Sequence, residues 1–316
     1  MTTSNSTDFN LARDEIVNEA YREIGVKTPG RALTSEEMND GVRSLNIMIK
    51  SWEAAGIYLW KETEGTLFLV PSQNSYRLDA ATANATTEFT QTTLSADEIT
   101  GETTISVNDT SSFTLGDFVG IKQDNNTLHW SIINAIGATT IGINDALTND
   151  ASENNVVYNY TTKINRPQRI SSCRLRNTQS QTDIVLKEIS RSTYFDLSNK
   201  FSEGKPTKFY YDKQLNYGDL YLWSTAGSVD DLIKFTFSRT FEDYDEPLNT
   251  SDFPVEWLEA IITNLAYKLG KKYGIGAQRL AQIKEDAQTT KAIVEGWDRE
   301  PTSIYFAPYI DINNDR

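Results

Sequence analysis

A mixed α+β fold is what this chain predicts, on three observations. Apolar residues recur at helical spacing only near its two ends. Short β-branched runs with alternating polarity fill its middle, and a Thr- and Asn-rich stretch interrupts those runs near residue 80. The expected architecture is a helical hub built from N- and C-terminal helix pairs, with a β-rich domain, an inserted small β-barrel or sandwich module, and an extended C-terminal arm. The expected boundaries are residues 1–64 and 251–298 for the hub, 65–79 and 161–250 for the β-rich domain, 80–160 for the insert, and 299–316 for the arm.

In the first helix, Phe9, Ala12, Ile16, Ala20 and Ile24 fall on one face, with Thr7 or Asp8 as the expected cap and Gly25 as the stop. Thr34 and Glu37 form a capping box, in which each side chain serves the other's free backbone N–H. The second helix follows, with Met38, Val42, Leu45, Ile49 and Trp52 on one stripe and Gly56 at its end.

From "GTLFLV" at Gly65 the period changes to two. Inside the insert, "TTISVND", "GDFVGIK", "LHWSIINAI", "TTIGIND" and "VVYNY" are strands separated by Gly, Asn and Asp turns. Their spacing suits a barrel or sandwich of about 65 residues. Strands resume with "RISSCRLR", "TDIVLKEI", "TKFYYD", "GDLYLW" and "DLIKFTFSRTF". Between the second and third, "SRSTYFDLSNKF" reads as a short helix or turn.

The third helix starts at Pro254, whose missing N–H costs nothing in a first turn. Trp257, Leu258, Ile261, Ile262, Leu265 and Leu269 make a wide apolar stripe, Lys271 and Lys272 suit its C-terminal dipole, and Gly274 ends it. A fourth helix runs from about Ala277 to Glu295. Neither terminal pair buries enough apolar area to stand alone, so the two pairs are expected to pack together. Pro301 and Pro308 then hold the tail extended, with Ile304, Tyr305, Phe306, Tyr309 and Ile310 along it.

Composition excludes several classes of function. The formal net charge of -14 argues against a protein that grips phosphate backbones. A single cysteine, Cys173, and a single histidine, His129, leave little material for a metal cage or a Ser-His-Asp triad. The polar N-terminus lacks a signal-peptide core, and no apolar run reaches membrane-spanning length. A soluble protein from a reducing compartment is expected, with no cofactor.

Each chemical candidate in the sequence also has a plainer role. In "FEDYDE", Glu242 and Asp245 could form a carboxylate pair, but a solvated turn suits them better. "DINND" begins like a calcium loop at Asp311, Asn313 and Asp315 and lacks its closing glutamate. His129 in "TLHWSI" belongs at a module surface or interface, and Cys173 reads as a small buried hydrophobe. Arg166, Arg169, Arg174 and Arg176 form the one local basic cluster, for which a salt-bridged strand edge is the plain reading.

The phrases "EAYREIGVKTPGRALTSEEMNDGVRSLNIMIKSWEAAGIYLWK", "INRPQRI", "ISRSTYFDLSNKFSEGKPTKFYYD", "GDLYLW", "FPVEWLEAIITNLAYKLGKKYGI" and "SIYFAPY" together resemble bacteriophage head-to-tail adaptors of the head-completion, tail-accessory-factor type. The resemblance spans most of the chain outside about Ala80 to Tyr160. It implies a structural virion protein rather than an enzyme, made in the host cytoplasm and placed at the neck. It further implies a ring, usually of twelve copies, docked under the portal protein, which retains packaged DNA and carries a tail tube or nozzle protein, with a tail fibre or further adaptor as another contact. DNA would pass through without specific binding, and no membrane is involved. On this chain the resemblance makes Ile304, Tyr305, Phe306, Tyr309 and Ile310 the portal-binding arm, and Trp52, Trp257, Ile261, Leu265 and Tyr267 hub core or subunit interface. The competing expectation is a virion surface module that reads a receptor or glycan through the insert's "LHW" strand.

Overall fold

The computed structural model describes residues 6, 8–55, 59–82 and 84–298. The arm residues Ile304, Tyr305, Phe306, Tyr309 and Ile310, and Asp311, Asn313 and Asp315 of "DINND", lie outside the described residues. The fold is mixed α+β and mostly strand. Its helices are α1 (Arg13–Glu23), α2 (Ser35–Ala55), α3 (Arg191–Phe195), α4 (Leu258–Tyr273) and α5 (Ala277–Trp297). The chain divides into two compact units, Met1–Leu59 with Phe241–Arg316, and Trp60–Thr240.

In the first unit α4 packs against α1, α2 and α5. It is the most buried helix, with Leu258, Ile261, Leu265 and Leu269 enclosed, and Gly274 closes it at φ 65°. Helix α1 begins at Arg13 rather than after Asp8. Ala12 pairs with Thr250 as an isolated bridge and gives its N–H to Glu15 (2.9 Å), while the Arg13 N–H goes to the Asn249 carbonyl (2.8 Å). The Leu11 N–H, which a cap at Asp8 could have served, goes instead to the Asn10 side chain (2.8 Å), and Phe9 stands 67% exposed, off the expected stripe. Helix α2 starts as its capping box dictates. The Thr34 N–H reaches Glu37 at 2.8 Å, and the Glu37 N–H reaches the Thr34 hydroxyl at 3.2 Å.

The unit also claims residues 241–250, which the sequence assigns to the β-rich domain. The Asn46 side-chain amide both donates to the Tyr244 carbonyl (3.1 Å) and accepts its N–H (3.0 Å). Buried Glu53 accepts the Phe241 N–H at 2.7 Å. Conversely, Glu62–Glu64 leave the hub, because they pair with Ser238–Thr236 as sheet.

Among the described residues, the second unit contains every strand. These are β1 (Glu62–Phe68), β2 (Ser75–Leu78), β3 (Ala85–Thr86), β4 (Thr90–Thr93), β5 (Thr104–Ser106), β6 (Phe118–Lys122), β7 (Leu128–Ile136), β8 (Thr140–Ile143), β9 (Val156–Tyr160), β10 (Arg169–Asn177), β11 (Asp183–Glu188), β12 (Glu203–Gly204), β13 (Lys208–Lys213), β14 (Gly218–Trp223), β15 (Thr225–Ala226) and β16 (Asp231–Ser238). One sheet has eight strands in the order β2-β14-β13-β11-β10-β16-β1-β3, antiparallel except at β11–β13. All eight send side chains into a single core that includes Leu67, Tyr76, Ala85, Cys173, Leu186, Phe209, Leu220 and Phe235. A flat sheet cannot converge on one cluster from both edges, so this sheet curls around its apolar face.

The insert forms a six-stranded sheet, β4-β9-β6-β7-β8-β5. Its two edges meet. Leu94 bridges Val107, the Ser95 N–H reaches the Ser106 carbonyl (3.1 Å), and the Asn108 N–H reaches the Thr93 carbonyl (3.0 Å). The result is a nearly closed barrel, filled by Leu94, Ile105, Val119, Ile121, Ile141, Val157 and their neighbours. It starts at β4 rather than at residue 80, because β3 still belongs to the larger sheet through Thr66↔Thr86 and Leu67↔Ala85.

Candidate functional surfaces

Period-two alternation puts Thr66 and Phe68 of β1, and Leu232 and Lys234 of β16, on the outer face of the eight-stranded sheet, where Thr66 pairs with Lys234 and Phe68 with Leu232. The barrel sits on this face. Phe68 meets Trp130 at 5.0 Å between ring centroids, Tyr158 at 4.9 Å, Phe89 at 5.5 Å and Tyr160 at 5.9 Å. Gly120 lies directly across from Trp130, and a Cβ there would fall 2.6 Å from the indole. Only glycine lets that ring lie across β6 and reach Phe68. Polar contacts flank the seam. Asn126 donates to the Gly227 carbonyl (2.9 Å), and Lys122 pairs with Asp230.

This seam accounts for the "LHW" strand. His129 is buried in the barrel, its Nε2 3.0 Å from the Asp145 carbonyl oxygen, and Trp130 is spent on the seam. Neither side chain is displayed on the barrel exterior as a recognition platform.

Two cavities open along the seam, of about 470 Å³ and 280 Å³, and Phe89 and Lys234 line both. The larger is bordered by Thr87, Glu88, Thr90, Asn159 and Thr161, the smaller by Gln91, Arg176, Thr178, Gln181 and Leu232. Lys234 lies 5.0 Å above the Phe89 ring, donates to the Thr66 hydroxyl (2.7 Å) and pairs with Glu64 (3.4 Å).

Three of the four arginines of the basic cluster are engaged within the fold, and Arg169 is exposed. Arg174 pairs with Glu64 and with Asp183 (3.0 Å), Arg176 grips both oxygens of Asp183, and Arg166 donates to the Gln214 carbonyl (3.0 Å). Arg176 holds the Asp183 carboxyl below the usual range. The expected salt bridges form at Arg174 and Arg176, but β10 is no edge, since it lies between β11 and β16. Cys173 is buried in the same sheet, and burial pushes its thiol pKa far up.

In the helical unit, Trp52, Trp257, Ile261 and Leu265 are enclosed within the unit. Trp52 and Trp257 lie 5.9 Å apart, with Phe253 at 6.1 Å from the first and 5.5 Å from the second. Tyr267 is half-buried, with Lys271 4.5 Å above its ring. Glu242 and Asp245 are exposed, while Phe241 before them and Tyr244 between them face inward. Alternation in this run therefore anchors it to α2 and leaves its carboxylates in water. Near the end of α5, Ile293 and Trp297 stand 65% and 63% exposed beside an apolar groove of about 240 Å³ floored by Ala260 and Val294. Their i, i+4 spacing puts both on one face. Sequence reading passed over them because the polar residues around them mask the pattern.

Among the described residues, no group of three or more His, Cys, Asp or Glu side chains is placed to hold a metal, and no described helix is long and apolar enough to cross a membrane. Compared with models of known protein families and with curated proteins, the chain matches none.

Proposed function

We propose that this protein is a structural adaptor of a phage neck, a ring-forming subunit that docks under the portal, extends the DNA channel and carries the tail tube or nozzle. The observation that carries this reading is the end of α5. There Ile293 and Trp297 present an exposed apolar pair immediately before a segment that contains Ile304, Tyr305, Phe306, Tyr309 and Ile310. Large apolar and aromatic side chains recurring within one short stretch of sequence are the composition of interface anchors. The negative charge supports the reading too, since a conduit for DNA works best without adhesion.

Co-sedimentation with portal-bearing capsids tests it. The full chain is expected to sediment with them and to form rings there, and a chain ending at Asp298 is expected to lose most of that binding. Failure of the full chain to co-sediment under conditions where tails assemble, or equal binding by the shortened chain, overturns the proposal.

A further inference from the structure

We propose that the cleft along the barrel–sheet seam binds a neutral oligosaccharide, with the cavities on either side of Phe89 as adjoining subsites. Thr87, Thr90 and Thr161 are exposed hydroxyls on the larger side, and on the smaller Gln91 is an exposed amide while exposed Gln181 donates to the Thr178 carbonyl (2.6 Å) and offers its amide oxygen. Such groups both donate and accept, which is the pairing a polyhydroxylated ring demands, because each sugar hydroxyl does both as well. Half-buried Phe89 supplies an apolar ridge shared by the two sides. Phe89, with Tyr160 also lining the larger cavity, among several amides and hydroxyls suits a ligand with an apolar C–H face and a polar rim.

The charges decide between a neutral and an anionic ligand. Two cations border the cleft, and each faces a carboxylate that it shares with Arg174. Lys234 faces Glu64, and Arg176 is held by both oxygens of Asp183. Glu88 adds a further negative group at the rim. An anion entering here would meet compensated cations and a nearby carboxylate, so Coulomb attraction contributes little. A neutral glycan needs only oriented donors and acceptors, which paired cations still provide.

Size agrees with the assignment. The larger cavity falls within the roughly 300–1,000 Å³ of small-molecule sites, and the smaller extends it, so a short chain of sugars is accommodated rather than a single ring. Both walls come from one compact unit, with Thr90 and Gln91 from β4 and Arg176 and Lys234 from β10 and β16. The site therefore exists within each copy of the chain.

The full-length protein, screened against an array of neutral, sialylated and sulfated oligosaccharides of two to six sugars, tests the proposal. The strongest neutral probe would then be titrated by calorimetry. Binding of a neutral oligosaccharide is expected, weakened at least tenfold in both Thr87→Val and Gln181→Ala, which alter exposed side chains and leave the core intact. Gln288→Ala on α5, remote in sequence and in the other unit, is expected to bind as the parent does. Absence of neutral binding at millimolar probe, binding only to sialylated or sulfated probes, or binding insensitive to both cleft variants would each overturn the assignment.

Discussion

Gly41 shows how much one residue constrains the helical unit. A Cβ added there would fall 2.4 Å from Cγ1 of Val17 and 3.0 Å from the Tyr21 ring, so α1 and α2 approach closely only because no side chain intervenes. Gly41→Val is expected to destabilise the unit by about 1–3 kcal/mol, the usual cost of overpacking a filled core. In urea denaturation the midpoint should fall with little change in slope, and adding Val17→Ala should recover part of the loss. Single residues of this kind were partly legible beforehand. The Thr34–Glu37 box could be read because both of its partners lie within one turn. Trp130 could not, because what fixes it is Phe68, far away in the chain and on another sheet. The same is true of Arg174 and Arg176: their basic character is plain in the sequence, but the pairing with Glu64 and Asp183 depends on strand order.

At the scale of elements, strand extents near turn residues were readable, and pairings were not. The bounds of β7 and β9 match their β-branched runs, and Gly274 ends α4 as its position dictates. By contrast, the parallel contact of β11 with β13 and the meeting of Leu94 with Val107 are long-range and leave no local signature. Beside that meeting point lies Glu98, 5% exposed, whose carboxylate accepts the Ser106 N–H at 2.6 Å. Burial raises its pKa above the ordinary value of 4.5, with neighbouring Glu102 adding to the effect. A raised carboxyl pKa favours the folded state most at low pH, and that contribution is lost as pH rises through the folded value. Glu98→Gln removes the charge while keeping an acceptor. It is therefore expected to raise the melting temperature at pH 7, with the gain shrinking toward zero as pH falls below about 4.5.

For the whole molecule, the barrel is threaded into its host at a single place. Chain leaves the large sheet after β3 and returns beside it, where the Ile164 N–H donates to the Ala85 carbonyl at 2.9 Å. Two ends that close can be joined by a tight turn with little strain. Replacing residues 88–162 by Asn-Gly is expected to leave the eight-stranded sheet folded, with its amide exchange protection retained. Exposure of Phe68 and Leu232 should cost about 1.5–3 kcal/mol each. Loss of the whole sheet on excision would mean that the barrel is a structural partner rather than a passenger. The sequence marked this insertion by its change in composition, but set its start too early, since β3 carries the same small-residue character as the stretch that follows.

The enclosed thiol of Cys173 has a practical consequence. As the chain's sole sulfhydryl, held in the sheet core with its ionisation suppressed, it is silent toward water-borne alkylating reagents. A cysteine introduced anywhere on the exterior would then be the one position a fluorophore or cross-linker attaches to. The native sequence thus serves as its own cysteine-free background for mapping neighbours in an assembly.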